Sequence, residues 1–180
     1  MSLFDFKNKQ KSSSEQFGKL LAEIFSKHII EDFEEKILPW LTKMANNSDK
    51  TTLLREWIFF EMFLMVNAVT AYFKGSNKCF QILDFFNQFC GENFKHLGIF
   101  NEDLDFLSLL KSRYVSYSNA LKETQPPGEL HWVSKKLISN LKGNDKDIAN
   151  IMSVASYYTN ISIANKNFIN GLIENFKITD

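Results

Sequence analysis

The chain has 180 residues, 44% hydrophobic and 23% charged, a globular balance in one domain-sized length that needs no disulfide or metal to hold a core. Its 21 basic and 21 acidic residues cancel, and only Arg55 and Arg113 are arginines, which excludes the positive field that nucleic acid or an anionic membrane surface requires. With 7 Gly and 3 Pro there are few sharp turns, so long helices are favoured over many short strands, and the 18 Phe are suited to the wide gaps between packed helices.

Residues 1–12 are polar and dotted with Lys7, Lys9 and Lys11, and read as a flexible arm ahead of a helical domain over 13–180. Ser12, Ser13 and Ser14 offer N-caps, and Glu15 and Gln16 are placed to close a capping box. The first helix carries Phe17, Leu20, Leu21, Ile24 and Phe25 on one face and runs through Phe33 and Ile37 towards Met44, bending near Pro39, which has no N–H to donate.

The second helix starts at Thr51 or Thr52 and ends at Gly75. It contains "EWIFFEMFLMVNAVTAYFKG", which resembles a membrane span. Between Trp57 and Phe73, however, it offers only 17 residues, with the charged Glu61 and the polar Asn67 among them, against roughly 20 needed to cross hydrocarbon. At 100° per residue Glu56, Asn67, Thr70 and Lys74 form one thin polar stripe, as expected of a core helix of which a sliver reaches water. No membrane span is expected.

A third helix is predicted from Asn77 to Cys90, with "GENFKHLG" as a loop or broken extension. Cys79 and Cys90 lie roughly 16 Å apart along that helix at 1.5 Å per residue, beyond the ~7 Å that a disulfide tolerates. Two free thiols and an N-terminus without an apolar run point to the cytoplasm. Asn101 is the expected cap of a fourth helix bearing Leu104, Leu107, Leu110, Tyr114, Tyr117 and Leu121. "QPPG" at 125–128 ends it and is the one place where the domain could subdivide. The fifth helix holds Trp132, Val133, Leu137, Ile138 and Leu141. The sixth runs from about Asp145 to Phe176, with "TNISIAN" as its weak middle. The fold class is therefore an all-α bundle of five or six helices around one very apolar central helix.

Motifs for chemistry are sparse. Glu61 sits roughly 140° around its helix from Glu56 and should face packed side chains, where a carboxylate must be paired, hydrogen-bonded or neutral. Arg113 is the expected partner in a buried pair. A pocket carboxylate of raised pKa is the functional alternative. His28, Glu31, Asp32 and Glu35 fall within about 100° of arc on one helix, a workable but meagre metal or acid–base set. No metal, cofactor, nucleophile elbow or phosphate loop is expected. The leading reading is a non-enzymatic interaction or regulatory protein that binds a protein partner or itself through an apolar helix face. Phe60 and Phe63, which flank the polar stripe, form the expected surface. The alternative is a helical-bundle enzyme or metal-binding protein built on His28 and carboxylates. A third class, a sensor of a small-molecule ligand, requires a cavity, which is a property of the fold and not of the sequence.

Overall fold

The computed structural model describes residues 10–46, 48–101, 105–123 and 125–179. The helices are α1 (Ser14–Asp32), α2 (Leu38–Met44), α3 (Lys50–Phe73), α4 (Asn77–His96), α5 (Phe106–Leu121), α6 (Glu129–Asn140) and α7 (Ile148–Asn175). A single π turn, Phe33–Ile37, joins α1 to α2, so the chain forms six helical rods in an all-α bundle. Two short strands, β1 (Gln10–Ser12) and β2 (Phe176–Ile178), pair in parallel and tie the chain ahead of α1 to the end of α7. Residues 10–12 of the expected flexible arm are therefore a paired strand, and its first nine residues lie outside the described ones.

Caps set the helix starts. Ser13 Oγ accepts from Gln16 N at 3.1 Å while Gln16 Oε1 accepts from Ser13 N at 3.0 Å, closing the capping box. Asp49, rather than a threonine, caps α3 by accepting from Thr52 N at 2.9 Å. Asp105, rather than Asn101, caps α5 through Ser108 N at 3.0 Å. The π turn precedes Pro39, whose ring and missing N–H disturb the helical ladder one turn back. A widened turn there takes up the misfit without ending the rod.

Helix α3 is the hub and packs against α2, α4, α5, α6 and α7, while α1 lies along α4. Although long and apolar enough to cross a membrane, α3 has 67% of its most apolar 18-residue window buried inside the bundle. The helix α4 continues unbroken past Cys90 to His96, through most of the segment read from sequence as a loop or broken extension. Gly91 is not a breaker there, because a Cβ on it would stand 2.8 Å from the Phe106 ring; it makes room for α5. Gly18 has the same use between α1 and α4, where a Cβ would meet Ile82 O and the Phe85 Cβ at 2.8 Å.

Helix α7 is unbroken through "TNISIAN", because tertiary packing against α3 and α6 outweighs weak propensity. Across the 125–128 turn α5 and α6 pack together and both touch α3, so the turn does not divide the bundle. Ten phenylalanines are buried, and Phe80 alone among the described residues is exposed. The phenylalanine excess therefore fills the core.

Candidate functional site: a cavity between α1, α3 and α7

The thin stripe on α3 reaches solvent at Thr70 and Lys74, but its Glu56 end faces packed side chains. Phe60 and Phe63 are 0% and 2% exposed and stack on Tyr117 of α5, with centroids at 5.4 and 5.1 Å. They form no contact surface. Glu56, on the same stripe, receives a forked pair of hydrogen bonds from Arg113, with Nε to Oε2 at 2.7 Å and Nη2 to Oε1. The predicted Glu61–Arg113 pair is thus replaced by Glu56–Arg113. Five residues turn a helix by roughly 140°, so Arg113, fixed on the α5 side, meets Glu56 and cannot reach Glu61.

Glu61 instead points towards α7 and is 4% exposed. Its Oε1 accepts a 2.5 Å hydrogen bond from the Tyr157 hydroxyl. Among the described residues no cation pairs with it. Burial pushes the carboxyl up to about 7, and the Tyr157 bond opposes that shift only in part. The Tyr157 hydroxyl is in turn held far above its ordinary value, by burial first and by the neighbouring Glu61 second.

Glu61 lies on the wall of a cavity of about 710 Å³ between α1, the π turn, α3 and α7. Most of the lining is apolar, with Phe25, Ile29, Trp57, Met65, Ile161 and Phe168 as its larger parts. Trp40, Trp57 and Tyr157 form a cluster beside Glu61, with centroids 4.8 Å apart for Trp57–Tyr157 and 5.3 Å for Trp40–Tyr157. Trp40 Nε1 donates to Ser153 Oγ at 2.9 Å, which fixes α2 against α7. A concave, mainly apolar space with a few convergent polar groups is the usual form of a small-molecule site.

The mouth carries charge in balance. Lys27 pairs with Glu31 at 3.8 Å, and Asp32 takes both Lys36 at 2.6 Å and His28 at 3.6 Å. The Lys36 bond holds the Asp32 carboxyl below its usual range, while Asp32 holds the Lys36 ammonium above its own. Of the expected cluster, His28, Glu31 and Asp32 line the cavity together with Glu61, a convergence that spans 33 residues of sequence between His28 and Glu61. Glu35 does not line it. The π turn breaks the α-helical phase between Asp32 and Glu35, so Glu35 turns outward and Lys36 takes the cavity side.

Among the described residues no three of His, Cys, Asp and Glu converge as metal ligands. Cys79 and Cys90 are free and fully buried, and burial pushes the Cys90 thiol well above its ordinary value, so it is not a nucleophile.

Sequence reasoning missed Tyr157, Trp40 and the π turn. The first two had a faint signal, polar-tipped aromatics on otherwise apolar helix faces, and Pro39 was the signal for the third.

The fold and this site together define an all-helical bundle with a mainly apolar cavity, on whose wall lies a buried acid that is hydrogen-bonded to Tyr157 and, among the described residues, has no cation partner. No protein-family model, no curated protein and no solved structure matches the chain.

Proposed function

We propose that the chain is a non-enzymatic helical binding protein, regulatory in character, whose ligand is a small and largely apolar molecule seated between α1, α3 and α7. The observation that carries this is the 710 Å³ cavity, mainly apolar, with Glu61, Tyr157 and Asn165 as polar groups on α3 and α7 and charged side chains of α1 and the π turn at its mouth. A protein partner or self-association remains part of the proposal as what occupancy would regulate, but its surface is not Phe60 and Phe63. A helical-bundle enzyme on His28, Asp32 and Glu35 has weaker support, because Asp32 is committed to Lys36 and Glu35 stands off the cavity. The proposed setting is the cytoplasm, which the two buried free thiols support.

The test is a titration with N-phenyl-1-naphthylamine, a neutral apolar fluorophore, on wild type and on Ala164→Trp, which sets an indole at the cavity wall. Saturable 1:1 binding that weakens at least tenfold in the variant is the expected outcome. Absence of saturable binding, or equal binding by the variant, removes the cavity as the ligand site.

A further inference from the structure

We propose that the cavity's ligand is an organic cation, an alkylammonium carried on an apolar body, with its ammonium against Glu61 and Tyr157 and its body along Trp57, Met65, Ile161 and Phe168. This rests on the ligand-binding reading above and deepens it.

Three observations converge. Glu61 is buried and faces the cavity, yet among the described residues its hydrogen-bond partner is a neutral hydroxyl. A buried carboxylate is costly unless a cation or several donors meet it, and among the described residues neither meets Glu61, so the missing partner is left for a ligand to bring. At the mouth, the cations that would receive an anionic headgroup are already engaged by Glu31 and Asp32. Aromatic faces are close to the acid: Trp57 and Tyr157 line the cavity with centroids 4.8 Å apart, and Phe25 and Phe168 complete the wall. Such faces attract a desolvated ammonium and tolerate an apolar chain.

The arrangement sets the sign of the pH dependence. The titratable groups around the cavity are Tyr157 on α7, Lys27, His28, Glu31 and Asp32 on α1, and Lys36 in the π turn. Burial pushes Glu61 up to about 7, so the free protein holds it mostly neutral at pH 5 and mostly charged at pH 8. A ligand that is ionised throughout this range needs the charged form. Its apparent affinity should therefore rise on the order of 50–100-fold from pH 5 to pH 8, following the charged fraction.

Three probes with one fluorophore and equal chain length test this: dansylcadaverine (cation), N-pentyl dansylamide (neutral) and N-dansyl-6-aminohexanoate (anion). Each is titrated against wild type, Glu61→Gln and His28→Gln at pH 5, 6, 7 and 8. The expected result is tightest binding of the cation at pH 8, with the stated rise. In Glu61→Gln the pH dependence disappears and cation affinity falls to that of the neutral probe, while the neutral probe binds as in wild type and so reports an intact cavity. His28→Gln, which alters the cavity lining and so can change absolute affinity, keeps the rise from pH 5 to pH 8, which assigns that rise to Glu61.

Equal or tighter binding of the neutral or anionic probe by wild type, or cation affinity that improves as pH falls, overturns the cation assignment and leaves the cavity reading standing. Unchanged cation affinity in Glu61→Gln does the same. Failure of all three probes to bind overturns both. Should Glu61→Gln not fold, the wild-type ranking of the three probes and its pH profile decide alone.

Discussion

Two sides of α3 each carry one buried glutamate, and the two sit in opposite surroundings. On the α5 side Glu56 meets a fork of guanidinium donors, packed beside the Phe60–Tyr117 and Phe63–Tyr117 stacks, with its charge neutralised in place. On the α7 side Glu61 meets one phenol and open space. The first arrangement fixes the register of α5 on α3 and leaves nothing for a ligand to do. The second keeps an acid unpaired inside an apolar wall, where whatever enters can change its charge state. Five residues of helix, about 140°, separate the two roles.

The comparison breaks most readily at Arg113. Arg113→Met strands Glu56 without its partner and should lower unfolding free energy in urea by about 2–4 kcal/mol, towards the lower end of what a fully buried pair would show, because the Arg113 side chain is 28% exposed. Glu61→Gln, by contrast, should change stability at pH 5, where the folded carboxyl is neutral as the amide is, by less than about 1 kcal/mol, since Gln still accepts from Tyr157 and no ion pair is lost. Comparable losses in the two variants would erase the distinction between the two sides.

The next effect is the pH dependence of stability without ligand. The Glu61 carboxyl is raised to about 7 in the fold from an ordinary 4.5, so the folded state holds the extra proton between those values. Stability from this group is therefore full below the unfolded pKa and lost as pH rises through the folded one, the reverse of a salt-bridged acid. Urea midpoints should fall from pH 5 to pH 8 by the equivalent of about 2–3 kcal/mol in wild type, with that component absent from Glu61→Gln. A wild-type curve that rises over the same range would show that Glu61 is charged and paired.

A smaller change sharpens the Glu61 side. Tyr157→Phe deletes the hydroxyl that donates to Glu61 and should destabilise by about 1 kcal/mol at pH 7. Because that bond lowers the carboxyl, its loss moves the pH transition upward, which a carboxyl-labelled NMR titration would resolve. The smallest effect belongs to Glu35→Gln. Exposed and off the cavity, Glu35 should leave stability within about 0.5 kcal/mol and probe affinity unchanged, whereas a metal or acid–base role shared with His28 and Asp32 would require a clear loss.

Much of the fold was legible because helix periodicity, caps and turn residues are local signals. The Ser13–Gln16 box, the stop at Gly75 and the apolar run of α3 all act within a few residues of themselves. Errors arose where a residue's role depends on a distant neighbour. Gly91 has the composition of a helix breaker, yet it lies inside α4 because the Phe106 ring occupies the space a side chain would need. The glutamates of α3 were known to differ by 140°, but which of them faces Arg113 depends on where α5 docks. Polar residues spaced along one face read as a solvent stripe, and only the position of α5 shows that Phe60 and Phe63 on that face are interior.

By itself, then, the amino-acid sequence determined the class, the helical rods and the core character of α3, because hydrophobic period and capping are intrinsic to a segment. It also determined that Glu61 is a buried acid with a problem to solve, and that His28, Glu31 and Asp32 share one face. The tertiary structure decided the partners: that Arg113 belongs to Glu56, that Tyr157 from the far end of the chain meets Glu61, and that His28 and Asp32 look into the same space as that acid. Partner choice is set by how helices cross and by the phase shift of the π turn before Pro39. Those are properties of packing, which no local stretch of sequence contains.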